Sequence, residues 1–306
     1  MISVVMSVYN ERIDWLKAAV NSVLNQTYTD FEFIIIIDNP ALNNEAVSFL
    51  NDAAEHDSRI QLYFNEKNIG LMRSLNVGIN LACGEFIARM DADDISLPDR
   101  FEKEIAFLTA NGYDMVSANR IDIDEDGHEV SRSIHIMNNP EKHLPYSNFI
   151  VHPSVIVRTD VMKKLGGYRE FYNSEDYDMW LRMLSAGYRI GILEEYVIYY
   201  RIRQTSMSMR NKLESYYITK YQQDLYWERV RTGSDSFSLE NFKAYMDTKN
   251  ISKEENEKYC KFRSSMDKAI SLFKQRKAAF LPLLVEAFII FPSMTIQNIN
   301  DIVHMK

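Results

Sequence analysis

Residues 31–37 read Phe-Glu-Phe-Ile-Ile-Ile-Ile, an apolar run broken by a single acid. A strand that is apolar at successive positions has no side to show to water, so it must lie between two covering layers. The chain around it supplies those layers. Ile2–Val8 is a β-branched run, and Trp15, Leu16, Ala19, Val20, Val23 and Leu24 then recur at helical spacing. A helix follows near Glu45–Ala54, then a strand at Ile60–Phe64. Leu71, Leu75, Val77, Gly78 and Leu81 mark another helix, and Phe86–Met90 the next strand. This β-α-β-α-β-α-β order requires right-handed crossovers and predicts an α/β fold with a mainly parallel central sheet flanked by helices.

Beyond this core the pattern predicts a helix from Ser96-Leu97-Pro98 to Asn111-Gly112, with a serine cap, and a strand over Met115–Ile123. A strand is expected over Phe149–Val157, a short helix from Thr159 to Gly166-Gly167, and a helix over Asp176–Ala186. Two further strands are expected, Arg189–Leu193 and Tyr196–Ile202. From about residue 211 the spacing is helical to the end, with a polar break at Thr232-Gly233-Ser234-Asp235. The expected division is a first domain over 1–210 and a smaller helical region over 211–306.

In open sheets of this type ligands sit beyond the carboxyl ends of the strands. Here those ends are Ser7–Glu11, Asp38–Asn39 and Asp91–Asp94, all polar or acidic after apolar runs. The last, in GEFIARMDADDISLPDRF, crowds three carboxylates into four residues, which repel one another unless water, hydrogen bonds or a cation offset the charge. Asp91 and Asp93 flank the small Ala92 and can converge on one hard cation, Mg2+ or Mn2+. A solvated turn leading into the next helix is the alternative. A second acidic group, Glu175-Asp176-Tyr177-Asp178, reads either as a helix N-terminus favoured by the dipole or as a source of a general base. Asp122-Ile-Asp124-Glu-Asp126-Gly127 imitates an EF-hand loop, but its twelfth position is Ser133, so a hairpin turn is expected. His152, before Pro153 in an apolar run, reads as structural or acceptor-facing. No GxxxxGK or GxGxxG loop is present, which removes support for ATPase and dehydrogenase chemistry.

MSVYNE near the N-terminus, NIGLMRSLNVGINLACGEFIARMDADD, and HPSVIVRTDVMKKLGGY followed by EDYDMWLRM together resemble a family 2 glycosyltransferase of the bacterial polysaccharide-biosynthesis type, with a GT-A (Rossmann-like) fold. The resemblance spans roughly residues 1–210. It implies an inverting, metal-dependent transfer of a sugar from a nucleotide-diphosphate donor, a UDP-sugar, to a hydroxyl of a glycan or lipid-linked acceptor. Carried over residue by residue, it puts Val8, Tyr9 and Glu11 at the nucleoside and Asp38 at the base. Asn68, Gly70 and Arg73 fall in the segment over the diphosphate-sugar. Asp93 becomes the direct metal ligand, with Asp91 beside it, and Asp176 the base with Glu175 in reserve or on the acceptor. Arg201 and Arg203 are assigned to the diphosphate. The sequence departs from the family at Ile37, where an aspartate is common, at Asn39-Pro40, which replaces Gly-Ser, and at Arg203, where histidine is frequent. Arginine has no lone pair to offer a metal.

A net charge of −8 argues against non-specific nucleic-acid binding by the whole chain, although residues 201–231 carry a local +4. Two distant cysteines, Cys83 and Cys260, form no metal or disulfide pattern and fit a reducing interior. The first residues do not read as a signal peptide, and no apolar stretch reaches spanning length, so the expected location is the cytoplasm. Near the end, RKAAFLPLLVEAFIIFPSM places two cations before an apolar segment. A peripheral contact with the inner membrane face, a buried helix and a subunit contact all fit it. Two rival functions remain at this level. A nucleotidyltransferase would need a glycine-rich basic loop after the first strand, where SVYNER has no glycine. A non-catalytic glycan-binding protein could share the fold without turnover.

Overall fold

The computed structural model describes residues 1–133, 139–172, 174–203 and 211–304. The chain forms two compact units, Met1–Leu144 with Asn148–Arg203, and Pro145–Ser147 with Gln204–Lys306. The boundary expected near residue 210 lies outside the described residues.

In the first unit β1 (Ile2–Val8), α1 (Ile13–Leu24), β2 (Phe31–Ile37), α2 (Asn44–His56), β3 (Ile60–Phe64), α3 (Leu71–Leu81) and β4 (Phe86–Asp91) alternate as their periodicities predict. The four strands run parallel in the order β3-β2-β1-β4. Every residue of β2 is buried, as its apolar run requires. Val4, Met6, Val8, Phe33 and Ile35 pack with Leu16, Val20 and Val23 of α1 and Leu50 of α2. The opposite face receives α3, whose Gly78 lies hard against Val5.

The chain then adds β5 (Ile95–Ser96), α4 (Arg100–Asn111), β6 (Met115–Ile123), β7 (Glu129–Ser133), α5 (Pro140–His143), β8 (Ile156–Arg158), α6 (Thr159–Lys164), α7 (Glu175–Ser185) and β9 (Ile190–Arg201). They extend the sheet as β8-β6-β9-β5, with β7 on β6. β9 is parallel to β6, whereas β8 is antiparallel to both β4 and β6, so the complete sheet is mixed around a parallel half. The β6–β7 turn is the hairpin expected in place of an EF-hand: Asp124 accepts from the amides of Asp126 and His128.

Three expectations need correction. The helix expected from Ser96 begins at Arg100, because Ser96 is committed to β5 opposite Ile198 and its hydroxyl accepts from Arg100. The strand expected over Phe149–Val157 is short. His152–Ser154 forms a 3-10 turn, Pro153 has no N–H to lend to a ladder, and pairing starts at Ile156. The two strands after Gly187 are one. β9 passes Glu194 and Glu195 outward in a bulge, so that Asn119 pairs with Tyr196 directly after Ala118 pairs with Leu193.

The second unit is helical: α8 (Lys212–Thr232), α9 (Leu239–Asp247), α10 (Lys253–Lys274), α11 (Phe280–Ile290) and α12 (Pro292–His304). Asn211, Ser238 and Ser252 cap α8, α9 and α10 by accepting from backbone amides three residues on. α8 ends at Gly233 in the left-handed region, within the expected polar break. Leu213, Tyr259, Phe262, Met266, Ala287 and Met294 form its core. The aromatics of α8 pack against other aromatics of this unit, Tyr221 against Phe242 and Tyr245, and Tyr216 against Tyr259. Among the described residues, no helix is long and apolar enough to cross a membrane.

Glycine inside a helix ordinarily costs about 1 kcal/mol relative to alanine. At Gly78 the sign should reverse, because an added Cβ would stand 2.4 Å from Val5 Cγ1. Gly78→Ala is expected to lower the urea midpoint by about 1–3 kcal/mol of stability, and Val5→Ala in the same chain to restore part of it. A stabilised single variant would refute the close packing of α3 on β1.

Candidate active site

The parallel register sets the strand ends level. Val8 pairs with Ile37, and Ser7 with Asp91, so the segments leaving β1, β2 and β4 emerge at one edge of the sheet. Asn39 Nδ2 donates to the Tyr9 carbonyl at 2.8 Å, tying the first two exits together. Val8 itself is fully buried in the core. Tyr9 is half exposed, and Glu11 turns back so that its Oε2 accepts from the Tyr9 amide at 2.8 Å. Burial raises the Glu11 carboxyl above its ordinary value despite that bond and the charge of Arg203.

Asp38 is buried and its carboxylate is used internally. Oδ1 accepts from Asn65 Nδ2 at 2.8 Å and the Ile69 amide at 2.9 Å, and Oδ2 from the Gly70 amide at 2.8 Å. It thereby fixes the loop that enters α3. Gly70 sits there at φ +87°, where an L side chain is strained, and Asn68 Oδ1 accepts from its amide as well. Arg73 is paired with Glu170 at 2.6 Å.

Among the described residues, the acidic turn after β4 brings three carboxylates together. One oxygen from each of Asp91, Asp93 and Asp94 lies within 4.8 Å of the others. Burial, then the charge of Asp91, raises Asp93 to about 6, although Arg203 pairs with it at 2.9 Å. Burial and Asp93 hold Asp94 well above the carboxylate range. Arg201 holds the turn in place. Its amide donates to Asp94 Oδ1 at 2.8 Å, and its Nε to the Asp93 carbonyl at 2.9 Å. Its Nη1 donates to the carbonyls of Asp124 and Glu125. The two arginines thus differ: Arg201 is buried on backbone oxygens, whereas Arg203 is about one-third exposed beside Asp93. Both lie over the Trp15 ring, which its indole N–H anchors to the Glu125 carbonyl.

A hard cation suits this donor set. The three carboxylates converge, and Asp94 Oδ2 is buried without a hydrogen-bond partner among the described residues. Such an arrangement is expensive unless positive charge arrives.

The second cluster opens α7. Glu175 is buried, and burial followed by the neighbouring charge of Asp176 raises it to about 7. Asp176 is also raised by burial, with Asn148 Nδ2 donating to its Oδ2 at 3.0 Å. Asp178, by contrast, is paired with Arg169 and Arg182 and belongs to the scaffold.

Between the clusters lies Arg89 of β4, a buried cation that sequence reasoning missed. It is ion-paired with Asp91, and Arg100 Nη2 donates to its carbonyl at 2.9 Å. Its charge is felt at Glu175, Asp176, Tyr168 and His152, so the two acidic groups share one electrostatic environment. Burial opposes the guanidinium's charge most strongly, but Asp91, Tyr168 and Asp94 together outweigh it. Burial, then Arg89, keeps His152 neutral, and its Nε2 meets the Tyr168 hydroxyl at 2.9 Å. A signal for Arg89 existed: a strand's period of two puts it on the face that Asp91 occupies.

The family model for glycosyl transferase family 2 matches residues 3–177. The chain belongs to this family. The O-antigen biosynthesis glycosyltransferase WbnJ of Escherichia coli is 37% identical over 226 residues, covering 72% of this chain and 87% of that protein. An uncharacterized glycosyltransferase of Methanocaldococcus jannaschii is 36% identical over 228 residues, covering 72% of this chain and 78% of its own. Among solved structures, TarS of S. aureus, residues 1–349 in complex with UDP-GlcNAc, superposes with a TM-score of 0.61 at 19% identity. That match covers 80% of this chain and 70% of the other, and it shows the GT-A-like fold. The family 2 match ends at residue 177, within the first turn of α7 that holds Glu175 and Asp176.

The raised Glu175 carboxyl makes a stability prediction. Below its ordinary value of 4.5 the group is protonated in folded and unfolded chains alike and costs nothing. As pH rises the unfolded chain ionises first, so stability falls until the folded group ionises near 7. Glu175→Gln is therefore expected to stabilise the metal-free protein at about pH 8 by on the order of 1–3 kcal/mol, and to have no effect at about pH 4. Equal urea-midpoint shifts at both pH values would exclude a titration effect.

Proposed function

We propose that this family 2 glycosyltransferase transfers a sugar, with inversion, from a UDP-sugar to a hydroxyl of a glycan or lipid-linked saccharide during bacterial surface polysaccharide synthesis. The observation that carries the reading is the placement of two carboxylate groups, Asp91/Asp93/Asp94 and Glu175/Asp176, around one buried cation in a single unit. The donor reading draws support from the TarS complexes with UDP and UDP-GlcNAc, and the pathway reading from WbnJ and the amylovoran biosynthesis glycosyltransferase AmsE of Erwinia amylovora.

Tyr9, half exposed at the end of β1, offers a ring for the base, and Glu11 a carboxylate for the ribose hydroxyls. Asp38 contributes by fixing the loop through Asn68 and Gly70 that borders the donor, rather than through a spare oxygen. Asp93, with Asp91, would hold a divalent cation, Mn2+ or Mg2+, which neutralises the diphosphate as its bond to the sugar breaks. Arg203 is the arginine available to the phosphates, since Arg201 is committed to the turn.

Asp176 acts as base. It takes the proton of the acceptor hydroxyl while that oxygen attacks the anomeric carbon from the face opposite the nucleotide. The carbon–oxygen bond to the diphosphate breaks, its electron pair leaves with the nucleoside diphosphate, and no glycosyl-enzyme forms. Burial raises the Asp176 carboxyl, which makes it a better proton acceptor, and Asn148 steadies the ionised form. Activity should accordingly rise with pH as this group ionises.

Calorimetric titration of UDP and a panel of nucleotide sugars, with and without Mn2+, is expected to show metal-dependent binding that Asp93→Ala abolishes. Asp176→Asn should keep donor binding and lose about 10²–10⁴-fold in turnover. Full turnover in Asp176→Asn would overturn the base assignment. Absence of binding across the panel by folded protein would overturn the donor site.

A further inference from the structure

The helical unit leaves one broad apolar face without a partner among the described residues. On α11, Leu281, Val285, Phe288 and Ile289 are 54%, 58%, 47% and 74% exposed. Their spacing of four, three and one puts all four on one side of the helix, opposite the buried Ala287. On α12, which packs against α11, Ile296 and Ile299 are exposed as well. The charged residues of this hairpin turn elsewhere. Glu286 accepts from Ser265 of α10, and Asp301 pairs with Lys220 of α8. Exposing this many large side chains costs free energy unless something apolar covers them.

What borders the face indicates the cover. Residues 268–285 contain Lys268, Lys274, Arg276 and Lys277 and no acid, within a chain whose net charge is −8. Lys274, Arg276 and Lys277 are exposed where the chain turns from α10 into α11. An apolar face edged by cations is complementary to a lipid surface that offers acyl chains below and anionic headgroups at its rim. A second copy is a poorer match, because the same face of a partner copy offers the same cations and, over residues 268–285, no acid to pair with them. A spanning arrangement is excluded by length: α11 has 11 residues, about 16 Å of helix, against a hydrocarbon core of about 30 Å.

We infer that the outward face of α11 and α12 lies in the plane of an anionic lipid surface, with Leu281, Val285, Phe288 and Ile289 inserted and Lys274, Arg276 and Lys277 on the headgroups. This inference is independent of the donor and base assignments. It brings the catalytic unit to the place where a lipid-carried acceptor would be found.

The test is sedimentation of the full chain with vesicles of phosphatidylcholine alone or of phosphatidylcholine mixed with phosphatidylglycerol. Binding is expected to the mixed vesicles, to weaken with salt, and to be at least about tenfold weaker to the neutral ones. Val285→Glu with Ile289→Glu, and separately Arg276→Glu with Lys277→Glu, should each abolish it. All four positions are exposed, and circular dichroism would show that the fold is retained. UDP binding by each variant should stay at the wild-type level. No sedimentation with either vesicle, equal binding to both, or binding that survives both double variants would overturn the inference. So would a dimer by light scattering that Val285→Glu with Ile289→Glu dissociates in a chain that ignores vesicles, which would identify a second copy as the cover.

Discussion

The first unit depends on the parallel pairing of β1 with β2 on one side and β4 on the other. Backbone hydrogen bonds fix that register, and side chains alternate in and out along each strand, so a slip of one residue would turn every core residue to the wrong face. With Val8 opposite Ile37 and Ser7 opposite Asp91, the polar residues that follow each strand have one place to go. The site is thus a consequence of sheet registry. Its components come from segments far apart in the chain, and only the ladder brings them level.

Charge in this region is held by burial and opposed by arginines with different duties. Arg201 spends its donors on backbone oxygens and gives the acidic turn its shape. Arg203 lies against a carboxylate side chain and keeps part of its guanidinium in solvent. Arg89 is enclosed between the turn and the start of α7, where its charge reaches acids of both. Low effective dielectric strengthens each of these interactions and raises the cost of any carboxylate left uncompensated. The elevated Asp93, Asp94 and Glu175 carboxyls express that cost. A carboxylate cluster in this condition is relieved by added positive charge or by protonation.

Much of this was legible in the sequence, and the limits follow from range. The parallel half of the sheet could be read because its signals are local: the all-buried β2 and the helical spacing of α1 and α3 each declare themselves within a dozen residues. The carboxylates stood out because three strand ends expected at one edge of the sheet all carry polar or acidic groups. What failed was set by tertiary partners. Ser96 carries a capping side chain, yet β9 claims its backbone for a strand. Glu194-Glu195 looks like the end of one strand and the start of another until β6 is seen to pair across the bulge. The division of labour between Arg201 and Arg203, two residues apart, cannot be inferred from composition at all. Arg89 could have been found, since strand alternation alone aligns it with Asp91.

The reach of Arg201 has a consequence in time as well as in space. Its amide and guanidinium close on Asp93 and Asp94 across more than a hundred residues of intervening chain. Closing so long a loop is slow and entropically costly, and it cannot begin during synthesis until β9 has emerged. The acidic turn is made early and clamped only when β9 arrives. A nascent chain therefore carries an unclamped cluster of carboxylates while the 107 residues from Asp94 to Arg201 are added, about a third of the 306.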